Sequence, residues 1–309
     1  TTLFRSQSED KSVWYFYLIP IIWGLGFTLT HNAVRNIDPG KFAFFRQLVA
    51  LLCLLPFAFS YLKKISKQVI LWSIIISLCN TSNILCQAYA LTQINSTQIA
   101  FYVTLNIIFV PFFAYLLKIW VFDLIEVIAV IIGVISLVIN YQGDLQGIGS
   151  GDIFGLVSSI SIALSIVTTQ KMLQSIKAEK VLMTFLSIFW STCFLLCFLF
   201  TNSVNAASEY NAQAIFAILF QGAISTAFAY YIQLRYQQRV GATNAALILN
   251  LDLAFASFFG FLNHEIITIT QLISGLVAFL ASVFKGLVKH FFMASPLSSP
   301  SERMIWKLN

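Results

Sequence analysis

The sequence predicts an all-α integral membrane protein, with ten transmembrane helices forming two inverted five-helix repeats and both termini in the cytoplasm. Three observations predict this fold class: an apolar composition, ten apolar runs of helical length, and matching residues in the two halves. Of 309 residues, 59% are hydrophobic and only 10% are charged, whereas about a quarter of a soluble domain is charged. The chain lacks the polar residues needed to cover a water-facing surface, so a lipid bilayer is its expected environment.

Apolar stretches of about 20 residues, the length that crosses a bilayer as a helix, recur between short polar breaks. We place the spans at 13–33, 39–62, 69–91, 97–117, 120–141, 152–173, 180–201, 212–234, 243–263 and 266–288. Runs of this length favour helices, because barrel strands would show about ten alternating residues each. Pro39 suits the first turn of the second span, whereas Pro111 lies inside the fourth and is a candidate kink.

The distribution of basic residues predicts the orientation. With the N-terminus inside, 15 of the 18 Lys and Arg residues fall on the cytoplasmic side, as the positive-inside rule requires. The predicted external loops instead carry the acids Asp38, Asp144, Asp152, Glu209 and Glu265. We therefore expect a multi-pass protein of the cell's inner membrane with both termini cytoplasmic.

The only glycine-dense segment, "YQGDLQGIGSGD" (141–152), lies at the midpoint of the chain. It follows a membrane span rather than a strand, so we interpret it as a connector and not as a phosphate-binding loop. The short polar start shows no separate signal peptide. The predicted organisation is a cytoplasmic tail (1–12), a first repeat (13–141), an external connector (142–151), a second repeat (152–288) and a cytoplasmic tail (289–309).

The two halves share a register at a shift of 146 residues, which aligns "NTSNILCQ" (80–87) with "TAFAYYIQ" (226–233). The paired positions include Asn80 with Thr226, Gln87 with Gln233, and Asn106 with Asp252. Five spans per half is an odd number, so equivalent helices would run in opposite directions, as in transporters with inverted repeats. Asn106 and Asp252 would then approach the bilayer centre from opposite sides.

Several function classes find no support in the sequence. The five cysteines lie in apolar runs without a CxxC pair and the three histidines are far apart, so we expect no disulfide framework, metal or cofactor. The net charge of +6 is carried mainly by loops, and no nucleic-acid partner is expected. The sequence contains no Walker motif, so we expect no direct use of ATP. An intramembrane enzyme or a channel is the alternative, but HExxH and GxSxG motifs and charge rings are missing.

Motifs in both halves carry a family resemblance. They are "WGLGF" (23–27), "PGKFAFFR" (39–46), a Thr followed by small residues at the start of the fourth and ninth spans, and "NHEIITITQLISG" (263–275). Over essentially its whole length the chain resembles the EamA-type transporters of the drug/metabolite transporter superfamily. The resemblance implies a ten-helix bundle whose central cavity opens alternately to either side. The chain has His264 where the family usually has glycine, and Asp252 where it often has proline.

Asp252 is the only carboxylate deep in a predicted span, where an Asp costs about 2.5–3.5 kcal/mol. On its helix face lie Ala245, Leu249, Ala256 and Gly260, whereas the opposite face carries Leu247, Leu251, Phe258 and Phe261. The acid is therefore expected to point inward, away from lipid. It is a candidate ligand for an ammonium group or a candidate proton carrier; a protonated Asp hydrogen-bonded to a neighbouring helix is the alternative.

Arg46 lies seven residues past Pro39, about 10 Å along the helix. Its guanidinium can hold a carboxylate or phosphate bidentately, or it can form a structural ion pair or reach the membrane surface. The resemblance implies a secondary transporter of a small polar or zwitterionic metabolite, and it leaves open an amino acid, a nucleotide-like or sulfonium metabolite, or a cationic drug. Together, Arg46 and Asp252 favour a zwitterion such as an amino acid or S-adenosylmethionine. Proton coupling, exchange and facilitated diffusion all stay open, as do direction and oligomeric state.

Neutral polar and aromatic residues complete the predicted substrate site. The polar members are Asn80, Asn83 and Gln87 on one face of the third span, with Asn106, Thr226 and Gln233. The aromatic members are Trp23, Phe27, Tyr102 and Tyr230, which can stack on a planar group or hold a cation. Hydrogen bonds between helices and ordinary packing are the alternative roles for these side chains.

Overall fold

A computed structural model describes residues 11–119, 124–140, 148–201, 209–240, 245 and 248–294. Within these ranges the regular structure is entirely helical. Six segments are long and apolar enough to cross a membrane: Pro39–Lys64, Lys67–Ala90, Ser96–Leu116, Ser150–Ser175, Lys180–Thr201 and Ala212–Val240. Shorter apolar helices are Val130–Asn140, Asp252–Leu262 and Ile269–Ala281. The helical, multi-pass membrane architecture predicted from the sequence is thereby confirmed.

The α-helices of the described ranges are numbered in chain order. They are α1 (Leu18–Ala33), α2 (Pro39–Ala58), α3 (Lys67–Ala90), α4 (Ser96–Thr104), α5 (Asn106–Leu116), α6 (Leu124–Asn140), α7 (Ser150–Ser175), α8 (Lys180–Thr201), α9 (Ala212–Leu219), α10 (Ala229–Val240), α11 (Asp252–Leu262) and α12 (Ile269–Ala294). Two 3₁₀ segments, Lys11–Tyr17 and Phe59–Lys64, flank α1 and α2, and a π-helical segment, Phe220–Phe228, joins α9 to α10. Helical residues occur in each of the ten predicted ranges.

Short polar side chains set several helix starts. The N-cap residues of α2, α3, α4 and α9 are Asp38, Ser66, Asn95 and Asn211, each of which accepts a backbone N–H from the first turn. These oxygens satisfy backbone donors that have no partner within the helix. The polar breaks between apolar runs therefore act as helix boundaries.

Two predicted spans are interrupted at equivalent positions. The fourth breaks at Leu105, where the backbone makes tighter i→i−3 hydrogen bonds, and resumes at Asn106. The ninth breaks at residues 250–251 and resumes at Asp252. Asn106 and Asp252 are 146 residues apart, so each is the first residue of a helix at the same register. Pro111 lies inside α5, and the interruption is at Leu105 rather than at that proline.

The helices pack in a pattern that brings both halves together. Helix α3 lies against α7 and α8, while the π-helical segment lies against α1 and α2. Helix α1 packs on α11, and α7 packs on α4 and α5. Gly24 allows the close approach of α1 to α11, because a Cβ at this position would lie 2.5 Å from the Cβ of Phe255.

The faces of α11 follow the prediction. Ala256 and Gly260 are buried, whereas Phe258 and Phe261 are 56% and 70% exposed. Large exposed apolar side chains of this kind match a lipid-facing surface. Asp252 therefore lies on the side of α11 that faces the other helices.

Candidate functional site

A buried cavity lies where both halves of the chain meet. Its walls are formed by Trp23, Gly26, Phe27, Arg46, Asn83, Gln87, Val103, Ile162, Gln221, Ser225, Tyr230 and Asp252. The space between the lining atoms is about 360 Å³, of which only about 30 Å³ can hold the centre of a water molecule. Since one water needs roughly 10–15 Å³ by that measure, the cavity in this conformation has room for a few waters at most.

Asp252 enters the cavity from the start of α11. It is 1% exposed, and its Oδ1 atom has no hydrogen-bond partner among the described residues. The interruption at residues 250–251 puts the acid at a helix N-terminus, where the backbone dipoles favour negative charge. A buried carboxylate oxygen without a donor is costly, so this atom is available to a substrate donor or to a proton.

Arg46 enters the same cavity from α2 and is 6% exposed. Its Nε donates to Thr226 Oγ1 at 2.8 Å, and Tyr230 is its electrostatic neighbour. The side chain therefore does not reach toward the membrane surface. No ion pair within 4.0 Å joins Arg46 to Asp252, although both side chains line the cavity.

The π-helical segment contributes Gln221 and Ser225. The Gln221 Nε2 atom donates to Gly26 O and to Thr30 Oγ1, both at 2.6 Å, while its Oε1 atom is buried and has no partner among the described residues. Trp23 Nε1 donates to the backbone oxygen of Ser225 at 3.0 Å. These bonds fix the segment against α1 and leave a second unpaired acceptor at the cavity.

Aromatic rings and amides form the remaining polar wall. Trp23 and Tyr230 meet edge to face, with ring centroids 5.7 Å apart. Asn83 Oδ1 accepts from Gln87 Nε2 at 2.9 Å and from Ser158 Oγ at 2.7 Å. The amide of Asn83 is therefore held in one orientation by α3 and α7.

Seven of the twelve predicted site residues line the cavity: Trp23, Phe27, Arg46, Asn83, Gln87, Tyr230 and Asp252. The other five are Asn80, Tyr102, Asn106, Thr226 and Gln233, whose side chains bond to protein groups.

The partners of these five explain their positions. Asn80 Oδ1 accepts from Ser165 at 2.6 Å, Tyr102 donates to Asp152 at 2.7 Å, and Asn106 donates to Asn250 at 2.8 Å. Thr226 accepts from Arg46, and Gln233 donates to Gln237 at 3.0 Å. Four of these contacts link segments far apart in sequence and the fifth lies within α10, so each side chain bonds to a protein group. The Oδ1 of Asn106 and the Oε1 of Gln233 are buried and have no partner among the described residues.

Five lining residues escaped the sequence analysis: Gly26, Val103, Ile162, Gln221 and Ser225. Gln221 carried a usable signal, because it is an amide inside the apolar run "FAILFQGAIST" (216–226). Val103 and Ile162 carried none, since aliphatic side chains of this kind occur throughout the chain.

A polar cluster closes one end of the bundle, which we call the Glu265 end. Glu265 Oε2 accepts from the backbone N and the Oγ of Ser96 at 3.0 and 2.8 Å. Asn32 and Asn263 exchange side-chain amide hydrogen bonds of 2.8 and 3.2 Å. These contacts tie α1 and α4 to the chain that follows α11.

No group of three or more His, Cys, Asp or Glu residues arranged to hold a metal ion occurs in the part of the chain that the structure describes. The five cysteines are free. The groups that line the cavity are one guanidinium, one carboxylate, amides, a hydroxyl, aromatic rings and aliphatic side chains.

Comparisons with known proteins agree with this architecture. The model of the EamA-like transporter family matches the chain twice, over residues 10–142 and 149–285. An uncharacterized transporter of Bacillus subtilis strain 168, YoaV, is 24% identical over 268 residues, covering 84% of this chain and 91% of its own length. A solved crystal structure shares the fold with a TM-score of 0.66 at 10% identity, covering 92% of this chain and 99% of its own.

Proposed function

The chain belongs to the EamA-like transporter family, and from this membership we propose that it is a secondary transporter that moves a small zwitterionic metabolite by alternating access. The candidate substrates are amino acids and nucleotide-like sulfonium metabolites such as S-adenosylmethionine, which carry an ammonium and a carboxylate group. The family and the similar Bacillus protein make it a membrane transporter; the substrate class and the mechanism are our proposal.

One observation carries the substrate class: Arg46 and Asp252 line the same buried cavity without forming an ion pair. Two separate buried charges are costly unless each is paired. A zwitterion would pair both at once, with its carboxylate on the guanidinium of Arg46 and its ammonium on Asp252. The free Oε1 of Gln221 offers a further acceptor for the ammonium hydrogens.

The aromatic wall adds a second element of recognition. Trp23 and Tyr230 present ring surfaces at the cavity, and such surfaces can stack on a planar side chain or attract a sulfonium. Asn83 and Gln87 supply neutral hydrogen-bonding groups that do not add buried charge.

The internal duplication supports alternating access. The family model matches each half separately, and the fourth and ninth predicted spans are interrupted at positions 146 residues apart. The packing of α3 on α7 and α8 has its counterpart in the packing of the π-helical segment on α1 and α2. We infer ten spans in two inverted repeats, with the site at interrupted helices near the midplane, as in other transporters of this type.

In this scheme the described conformation is closed at the Glu265 end and its cavity is narrow. The cavity is too small for an amino acid, and the Glu265 end is tied by hydrogen bonds. Movement of one repeat against the other would widen the cavity and expose it to one side. With 15 of 18 basic residues on the proposed cytoplasmic side, we assign the Glu265 end to the exterior of the inner membrane and both termini to the cytoplasm.

The decisive experiment is uptake by proteoliposomes containing Asp252→Asn. This change keeps the volume of the side chain and removes its charge, so transport should be abolished while the melting temperature is retained. Asp152→Asn is the matched control, because Asp152 is also buried but bonds to Tyr102 and Gln98 outside the cavity. Uptake at the wild-type rate by Asp252→Asn would remove this acid from the mechanism.

A thermal-shift screen of the purified protein would identify the substrate. A ligand that binds only the native state raises the melting temperature by mass action. Amino acids, sulfonium compounds, nucleosides and quaternary amines form the panel. Zwitterions should stabilise the wild type and have a smaller effect on Asp252→Asn; stabilisation by quaternary amines that lack a carboxylate would contradict the proposed role of Arg46.

A further inference from the structure

A second, open groove lies at the opposite end of the bundle from Glu265, and we call it the lysine groove. Its lining residues are Lys64, Ser66, Val69, Leu173, Gln174, Ser175, Ile176, Lys177, Ala178, Glu179, Lys180, Leu182 and Gln238. The groove contains about 1480 Å³ of space and shares no lining residue with the central cavity. It belongs to no part of the transport mechanism described above.

The groove is electropositive. Three lysines and one glutamate line it, which gives these groups a net charge of +2. Lys64 pairs with Glu179 at 2.8 Å, and both side chains are exposed, at 59% and 45%. No ion pair within 4.0 Å engages Lys177 or Lys180 in the part of the chain that the structure describes. Glu179 is an electrostatic neighbour of Lys180, but its nearest cation is Lys64, so the groove keeps a net positive charge for an external anion.

The position of the groove matches the depth of lipid headgroups. It lies where α7 ends at Ser175, where α8 begins at Lys180, and where α3 begins at Lys67, so it marks the boundary between the spans and water. The first backbone N–H groups of α8 lie at the same place and add to the positive potential.

The floor of the groove is apolar and closed. Val69, Leu173 and Leu182 are buried beneath the polar rim, and Gln238 Nε2 donates to the backbone oxygen of Leu173 at 3.2 Å, which joins α10 to α7.

We propose that the lysine groove binds the phosphate headgroup of an anionic phospholipid. The phosphate would lie between Lys177 and Lys180, and the polar side chains of Ser66 and Gln174 would meet the glycerol or headgroup hydroxyls. Basic pockets between membrane helices commonly recognise anionic headgroups in this way. A lipid bound here would bridge the ends of α3, α7 and α8.

The test titrates the purified full-length protein in detergent with phosphatidylglycerol and counts bound lipid by native mass spectrometry. Phosphatidylcholine and inorganic phosphate are titrated in parallel. Phosphatidylcholine carries a phosphate without a net charge, so it tests whether a net negative headgroup is required. Inorganic phosphate tests whether phosphate alone is bound. Phosphatidylglycerol should bind the wild type most tightly. Lys177→Gln/Lys180→Gln should bind it roughly thirty-fold more weakly, since each lysine near a membrane surface contributes about fivefold.

Lys63→Gln/Lys67→Gln is the matched control, because it removes the same charge from exposed lysines beside the groove that do not line it. This variant should bind phosphatidylglycerol within about threefold of the wild type, and a melting curve of each variant checks folding. Equal losses in both double variants, or unchanged binding in Lys177→Gln/Lys180→Gln, would overturn the site. Inorganic phosphate binding as tightly as the lipid would overturn the lipid as its occupant.

Discussion

Arg46 donates from Nε to Thr226 Oγ1 at 2.8 Å, across 180 positions of sequence, and this bond ties α2 to the π-helical segment at the wall of the central cavity. Thr226 is fully buried and Arg46 nearly so. The threonine therefore orients the guanidinium while the remaining nitrogens stay available to the cavity. This relationship makes Thr226 a positioning residue for the proposed carboxylate site.

Thr226→Val should remove the acceptor while preserving the shape of the side chain. A hydrogen bond to a charged group is worth about 1.5–3 kcal/mol, so the variant should lose stability on that scale, and its apparent KM for the zwitterion should rise. Thermal melting and proteoliposome uptake measure the two effects. Thr226→Ser keeps the hydroxyl and should restore both; a Val variant with unchanged KM would argue against this role.

Tyr102→Phe should leave the apparent KM unchanged. The Tyr102 hydroxyl bonds to Asp152 and is absent from the cavity wall, so its loss should appear as reduced stability, by about 1 kcal/mol. Tyr230→Phe is the comparison, because Tyr230 lines the cavity beside Arg46 and its loss should change KM. Uptake measured over a range of substrate concentrations separates the two outcomes.

Gly24→Ala should separate α1 from α11. The added Cβ would lie 2.5 Å from the Cβ of Phe255 and 2.9 Å from the backbone nitrogen of Ala256, and backbone cannot move aside cheaply. Overpacking of this kind typically lowers the free energy of unfolding by about 1–3 kcal/mol. The displacement of α11 would also move Asp252 in the cavity, so the transport rate should fall.

Gly275→Ala is the control for that substitution, because its Cβ would meet Leu253 at an ordinary 3.5 Å. Alanine favours a helix over glycine by about 1 kcal/mol, so Gly275→Ala should be neutral or stabilising. Equal melting temperatures for the two alanine variants would show that the contact at Gly24 can relax.

Glu265→Gln should weaken the closure of the Glu265 end. The carboxylate accepts from both the backbone N and the Oγ of Ser96 at the start of α4, where a negative charge is favoured by about 0.3–1 kcal/mol. Ser96→Ala keeps the backbone bond to Glu265 but removes the Oγ bond to Glu265 and the 3.2 Å bond between Ser96 Oγ and Thr28 Oγ1, so each single variant should lower the melting temperature. Because the two residues interact directly, the double variant should be less destabilised than the sum of the singles; simple additivity would contradict the contact.

Asn106→Ala and Asn250→Ala test the crossing of the interrupted helices. Asn106 Nδ2 donates to Asn250 Oδ1 at 2.8 Å, and Asn250 Nδ2 donates to Thr104 O at 3.3 Å. Each single change leaves a buried polar group without its partner, at about 1–3 kcal/mol. In chemical or thermal unfolding, the free-energy losses of the two single variants should not add up to the loss of the double variant. Additive losses would show that the bond between Asn106 and Asn250 does not stabilise this crossing.

Sequence reasoning found the polar residues but could not rank their positions around each helix. The spacing of Asn80, Asn83 and Gln87 predicts one shared face of α3. Only Asn83 and Gln87 line the cavity, whereas Asn80 accepts a hydrogen bond from Ser165. Asp252 was identifiable because a lone carboxylate in an apolar helix is costly wherever the helix lies. The π-helical turn around Gln221 has no signature in residue periodicity, since its contacts are with α1, nearly 200 positions away.

By itself the sequence determined the solvent, the helical character and the few polar groups that membrane helices must turn away from lipid. These follow from composition and run length, because the transfer free energies of apolar and polar groups act residue by residue. Only the tertiary structure decided that Arg46 donates to Thr226, that Tyr102 donates to Asp152, and that Gln221 lines the cavity. The rotation and crossing of helices depend on side chains that meet from distant parts of the chain, and no local pattern contains that information.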